Sequence, residues 1–156
     1  MQSLAEARRQ RQMSAVMFLD LDGFKAVNDR HGHEVGDLLL KATADRIKDA
    51  IRETDTVARI GGDEFVIILT NLPDRSIAAR IADNLIRQIS APLRAGKVDI
   101  QVGASVGIAL YPEHGDVAEE LMRAADDAMY RVKHRGKNNY DFAPAGEAGT
   151  NAPATS

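Results

Sequence analysis

The chain has 156 residues, enough for one domain with its own core, and its 44% hydrophobic and 28% charged residues are ordinary for a globular protein. A formal charge of −3 gives no general pull toward nucleic acid or acidic membranes, and the lack of cysteine excludes disulfides, zinc–thiolate centres and thiol nucleophiles. No apolar run approaches the roughly 18 residues of a membrane helix, and MQSLAEARRQRQM at the start lacks the apolar middle of a signal peptide, so a cytoplasmic domain is expected.

With 4% aromatic residues and no Trp, the core has to be built from Val, Ile, Leu and Ala. The opening residues read as a polar helix with Leu4 as its one large apolar anchor. AVMFLDL (15–21) is a short apolar run ending in acids, which predicts a buried strand. GFKAVNDRHG follows as a turn or short helix closed by Gly32. From Glu34 to Arg52, Val35, Leu38, Leu39, Ala42, Ile47, Ala50 and Ile51 recur near helical spacing. Val57–Ile60 and Phe65–Leu69, separated by GGDE, predict a hairpin. Five apolar residues in succession in its second arm predict a strand covered on both faces.

Pro73 then opens a helix with Ile77, Ile81, Leu85 and Ile89 at every fourth position. VDIQVGASVGIAL (98–110) is β-rich but interrupted by Gly103 and Gly107, which allows one bent strand or two. The turn at Tyr111–Gly115, an amphipathic helix over Val117–His134 and a short strand near Asn139–Phe142 complete a domain of residues 1–143. The small polar residues 144–156 predict a disordered tail. This order predicts the fold class α/β (α+β), a mixed, mainly antiparallel sheet flanked by helices.

The chemistry centres on ARIGGDEFVIIL (58–69), which sets two acids at the lip of the most apolar segment. Unpaired carboxylates there are costly, so they need a positive partner. Asp20 and Asp22 end the first predicted strand, and Asp63 and Glu64 occupy the hairpin. If the two strands are neighbours, Asp20 and the hairpin acids converge at one sheet edge and repel one another unless a cation neutralises them. Oxygen donors without a Cys or His pair favour Mg²⁺ or Mn²⁺ over zinc. Incidental acids on a solvated turn are the alternative. Gly23 permits close backbone approach, so the amides of Gly23 and Phe24 can face phosphate oxygens beside Lys25. Lys133 and Lys137 form a second basic pair; they also suit the dipole at a helix end.

Together these pieces resemble the GGDEF family of diguanylate cyclases. Gly61-Gly62-Asp63-Glu64-Phe65 is the family signature, and FLDLDGFKAVND (18–29), GHEVGD (32–37), SVGIALYP (105–112) and AMYRVKHRGKNN (128–139) are similar to its other blocks, in order. The resemblance covers residues 14–142. It implies a palm-like fold related to nucleotidyl cyclases and the condensation of two GTP into cyclic di-GMP and two pyrophosphates across a homodimer, in bacterial second-messenger signalling. Residue by residue it implies Asp20, the Leu21 carbonyl, Asp63 and Glu64 as metal ligands, with Asp63 and Glu64 catalytic. Gly61 and Gly62 would admit the nucleotide, Asn28 and Asp37 would read guanine, and Lys25, Lys133 and Lys137 would hold phosphates. A helix or turn cap is the alternative role for Asn28, and a surface acid for Asp37.

Arg52-Glu53-Thr54-Asp55 stands where the family binds cyclic di-GMP as a product inhibitor, completed by a second arginine, Arg80 or Arg87; an i,i+3 ion pair is the structural alternative. Two departures from the family pattern are Lys137, where arginine is usual, and the absence of an Asp-x-Leu-Thr-Gly-Leu-like start, which implies a domain shortened at its N-terminus. The resemblance also implies a fused or associated sensory domain in a parent protein that can be membrane-anchored. A catalytically silent module that binds GTP or cyclic di-GMP and regulates a partner is the competing reading. An adenylyl cyclase is disfavoured by Asp37, which can accept guanine N1–H where adenine offers none.

Overall fold

The computed structural model describes residues 13–144; the expected polar helix around Leu4 and the tail past Pro144 lie outside the described residues. In β1 (Met13–Asp22), Ala15, Met17, Leu19 and Leu21 join one apolar layer and Val16 and Phe18 the other, so Asp20 and Asp22 continue the second row. A strand apolar on both sides must be central and covered on both faces. Accordingly β2 (Thr56–Arg59), β3 (Glu64–Leu72), β6 (Gly103–Tyr111) and β7 (Asn139–Phe142) assemble around it in the order β2-β3-β1-β6-β7. Every pairing is antiparallel except β6 with β7. The mixed, mainly antiparallel sheet expected from the sequence is what forms.

The 98–110 stretch resolves into two strands in two sheets. β5 (Val98–Ile100) pairs with β4 (Leu93–Ala95) in a separate ribbon, while Gly107 stays within β6. The break therefore precedes Gly103. β4 was not foreseen, since three residues are too few to show alternation; the turn at Gly96, with φ +67°, is its main local signal.

The helices are α1 (Phe24–His31), α2 (His33–Ala50), α3 (Arg75–Ser90) and α4 (Ala118–His134). α2 and α3 pack on the Met17–Leu19 face, and α4 on the Val16–Phe18 face. α2 buries Leu39, Thr43 and Ile47, four residues apart, with the Thr43 hydroxyl donating to the Leu39 carbonyl at 2.8 Å. Leu38, expected among the core positions, is 46% exposed because it sits one step round the helix from Leu39. Arg46 fastens α2 to the end of α3: it donates to the carbonyls of Gln88, Ile89, Ala91 and Pro92 at 2.9 to 3.1 Å, satisfying oxygens that the helix terminus leaves free.

The expectation that Phe65–Leu69 is covered on both faces holds only in part. Phe65, Ile67 and Leu69 meet the α2–α3 layer and Val66 the α4 layer, but Ile68 is 41% exposed because α4 packs on β1 and β6 rather than β3. Where α4 does cross the sheet, the approach is close. A Cβ at Gly107 would lie 2.1 Å from the Ala125 carbonyl oxygen and 2.2 Å from the Met129 nitrogen, both backbone atoms. Gly107→Ala is therefore expected to cost about 3 kcal/mol and lower Tm by roughly 10 °C. An unchanged melting curve would contradict so close a contact.

Candidate functional site

The α4 face of the sheet ends in the acids. Asp20 pairs in register with Glu64 and, on its other side, with Ser105. The hairpin lip is tied to β1 through the backbone, the Leu21 N–H donating to the Asp63 carbonyl at 3.2 Å. From the end of β2, Arg59 Nη1 donates to the carbonyls of Gly61 at 3.2 Å and Gly62 at 2.8 Å, which holds the loop in shape. The Glu64 carboxylate lies over Gly61, where a Cβ would come within 3.1 Å of Glu64 Oε1. A Cβ on Gly62 would meet nothing within 4 Å, so no packing inside the chain requires glycine there.

Across from the hairpin, the last turn of α4 sends Lys133 into the cluster. Its Nζ lies 2.8 Å from Asp22 Oδ1, 3.2 Å from Asp20 Oδ2 and 3.4 Å from the Leu21 carbonyl. All three side chains are largely withdrawn from water. Burial pushes the Asp20 carboxyl up to about 6; Lys133 opposes this and the Asp63 carboxylate beside it adds to it. For Lys133 burial acts against the ammonium, but the bond to Asp22 and the charges of Asp20 and Asp22 outweigh it and raise its pKa. The cluster thus remains short of positive charge with Lys133 in place.

That shortage is the test of whether a metal ion fits. Asp20 Oδ1 is buried with no hydrogen-bond partner, Asp63 crowds the same carboxylate, and the Leu21 carbonyl adjoins them. The donors are all oxygens, which suits Mg²⁺ or Mn²⁺. Among the described residues no three His, Asp or Glu side chains are gathered to hold a metal by themselves. Magnesium commonly accepts one or two carboxylates and completes its shell with water and phosphate, so the fit is to an ion that arrives with a phosphorylated ligand.

The two residues expected to read a base, Asn28 and Asp37, both adjoin Gly36, one by contact and the other in sequence. Gly32, with φ +93°, breaks α1 from α2 and turns Asn28 toward the next helix, where a Cβ on Gly36 would fall 1.8 Å from Asn28 Oδ1. That oxygen is buried and unpartnered, and α2 has no side-chain cap bond, so Asn28 does not serve as its cap. Asp37, next to Gly36, stands on the wall of an open cleft of about 440 Å³ with Leu40, Phe65 and Arg59. Gly23, at φ +94°, starts α1, and Lys25 is exposed beside Asp29 at 3.8 Å. Lys137 lies on the turn after α4 at φ +65°.

Arg52 and Asp55 sit elsewhere, at the opposite end of β3, about 20 Å along the strand from Glu64. They grip each other: Arg52 Nε and Nη2 meet the two Asp55 oxygens at 2.8 Å each, and Arg52 Nη2 also reaches the Thr70 carbonyl. Asp55 is fully buried and accepts the Thr70 N–H at 3.2 Å. The i,i+3 ion pair is therefore present and closes the turn before β2.

Sequence reading missed the contributions of Arg59, Ser105 and Asn138 and gave Asp22 no role. For Arg59 a signal existed, a cation two residues before a glycine turn whose carbonyls need donors.

The family model for the diguanylate cyclase GGDEF domain matches residues 1–139. Among curated relatives from Pseudomonas aeruginosa, the bifunctional diguanylate cyclase/cyclic di-GMP phosphodiesterase MucR is 47% identical over 141 residues, 90% of this chain and 20% of MucR. Diguanylate cyclase TpbB is 44% identical over 138 residues, 88% of this chain and 32% of TpbB. Cyclic di-GMP phosphodiesterase NbdA is 40% identical over 141 residues, 90% of this chain and 18% of NbdA. The chain thus spans a third or less of the length of these relatives. The crystal structure of the TpbB GGDEF domain matches with a TM-score of 0.88 at 43% identity, covering 90% of this chain and 88% of that one.

Proposed function

The chain belongs to the diguanylate cyclase GGDEF domain family, and from that we propose that it joins two GTP into cyclic di-GMP, one GTP on each domain of a homodimer. Each ribose 3′-oxygen attacks the α-phosphorus of the facing GTP, its proton passes to a base, and the bond to pyrophosphate breaks. Two such steps release two pyrophosphates. The observation that carries this reading is the meeting of Asp20, Asp63 and Lys133 from β1, the hairpin and α4 in one cation-poor cluster.

Asp63, at the lip of the hairpin, takes the 3′-proton, with Glu64 beside it. Asp20, the Leu21 carbonyl, Asp63 and Glu64 hold the metal ion. When bound, Mg²⁺ or Mn²⁺ offsets triphosphate charge and lowers the cost of an attacking alkoxide. Asp37 accepts the N1–H and N2–H of guanine, and the buried, unpartnered Asn28 oxygen offers a further acceptor. The amides of Gly23 and Phe24 with Lys25, Lys133 and Lys137 bind phosphate oxygens. Gly61 and Gly62 let the nucleotide approach the hairpin. Lysine at 137 keeps the charge but not the forked geometry of arginine. No helix among the described residues is long and apolar enough to cross a membrane; a sensory domain in the parent protein would control dimerisation.

The test is to incubate the protein at high concentration with GTP and Mg²⁺ and quantify cyclic di-GMP by chromatography, with ATP as the control. A silent module is the second reading, favoured by relatives such as NbdA whose name records only hydrolysis. GTP binding without product, persisting when a dimerising helix is fused, would establish that reading instead.

Product inhibition at Arg52 and Asp55 also belongs to this proposal. Their mutual clasp has to open, or to share its charges with guanine, before cyclic di-GMP can bind. Arg52→Ala is expected to relieve inhibition by added product. It should also cost roughly 2–3 kcal/mol of stability, since it leaves the buried Asp55 carboxylate without its cation. A lower Tm with inhibition unchanged would leave the pair a purely structural one.

A further inference from the structure

The geometry points to Asp22 as the residue that positions both phosphate-binding lysines of α4 and its following turn, an inference that rests on the cyclase reading above. Asp22 and Asp20 share a face of β1, yet their surroundings differ. Asp20 has an orphaned oxygen. Asp22 is fully engaged: Oδ1 accepts from Lys133 Nζ at 2.8 Å and from Ser105 Oγ at 2.8 Å, and Oδ2 accepts from the Asn138 N–H at 2.9 Å. Ser105 Oγ also approaches Oδ2 at 3.1 Å. Ser105 is completely buried on β6, so the carboxylate is clamped from the neighbouring strand and oriented toward α4.

The third bond explains the turn. Gly136, Lys137 and Asn138 have φ of +128°, +65° and +51°, and two consecutive non-glycine residues in the left-handed region are costly unless held. They are held on every side. The Lys137 N–H donates to the Val132 carbonyl at 3.0 Å, Asn138 Oδ1 accepts from the Ala104 N–H at 3.2 Å and from Ser90 Oγ at 3.0 Å, and Asp22 takes the Asn138 N–H. One carboxylate thus grips Lys133 by its ammonium and Lys137 through the backbone next to it. When a triphosphate draws Lys133 away from Asp20, Asp22 remains as the tether that keeps the ammonium within reach. Asp22 touches neither substrate nor metal in this account; it is a positioning residue.

The experiment is a double-mutant cycle on the full chain, titrated by calorimetry with 3′-deoxy-GTP and Mg²⁺, a ligand that cannot cyclise. Asp22→Asn should weaken binding roughly tenfold and Ser105→Ala about threefold. With Lys133 and Lys137 both replaced by alanine, neither change should weaken binding further. At saturating GTP, kcat of Asp22→Asn should stay close to that of the parent, which separates positioning from metal ligation. Unchanged binding in Asp22→Asn, an equal loss in the lysine-free background, or a fall in kcat with KM unmoved would each overturn the inference. Should Asp22→Asn fail to fold, Ser105→Ala carries the same cycle. A parent chain that does not bind 3′-deoxy-GTP would sink the cyclase reading itself, a result distinct from any of these.

Discussion

Asp63→Ala is expected to reduce cyclic di-GMP synthesis by about 10³-fold or more while the chain stays folded and still takes up GTP. The separation follows from how Asp63 is attached. What ties the hairpin lip to β1 is the Asp63 carbonyl, accepting from the Leu21 N–H, and alanine keeps that bond. Arg59 goes on holding the carbonyls of Gly61 and Gly62, so the turn keeps its shape. Removing the side chain also takes a negative charge away from Asp20, where it works against ionisation. On the proposed reading, guanine and phosphate contacts fall on other residues: Asn28, Asp37 and the lysines. The loss should therefore appear in kcat far more than in KM. Chromatographic product assays, a GTP titration and a thermal melt decide it together. Product at the parent's rate would remove Asp63 from the reaction. Lost GTP binding in a protein with an unchanged melt would make it a ground-state contact.

How much of this could be read beforehand depended on how local each feature is. β1, the hairpin and three helices announced themselves because apolar spacing is a property of neighbouring residues. The convergence of Asp20 with the hairpin acids followed once two apolar runs were taken as adjacent strands, and the register of Asp20 with Glu64 places them so. The difference between Asp20 and Asp22 was invisible. In sequence they are two acids, two positions apart on one strand. What separates them is Ser105 and Asn138, which come from 83 and 116 residues further along the chain. Lys133 was legible as a cation at a helix end, but the fold alone brings it between two carboxylates 111 and 113 positions before it. Ile68 failed for the same reason: which strands a helix covers is set by packing, and the apolar run is identical either way.

Asp20→Asn should move activity and stability in opposite directions. The Asp20 carboxyl titrates at about 6 in the fold against an ordinary 3.8, burial and Asp63 together outweighing the help of Lys133. A raised carboxyl means that the native state binds more protons than the unfolded chain between those two values. Stability must then fall as pH rises through that window, with the full penalty present above pH 6 and absent below about pH 4. Asparagine cannot ionise and escapes it. At pH 7, without nucleotide, Asp20→Asn should melt about 4 °C higher, a gain of about 1 kcal/mol once partial solvent screening is allowed for. At pH 4 the two melting curves should coincide. Synthesis, in contrast, should fall by about 10²-fold or more at every pH, because the substituted amide holds a hard cation poorly. Addition of Mg²⁺ and GTP should reverse the order of stability, since ligand binding favours the chain that has the carboxylate. Asp20→Asn melting below the parent at pH 7 would show that the Lys133 pairing outweighs the burial of Asp20, and that the carboxylate stabilises the fold without a metal. A gain absent at pH 4 and growing to its full size by about pH 6 would show that the fold without metal holds this carboxylate at a cost, one that binding a cation relieves.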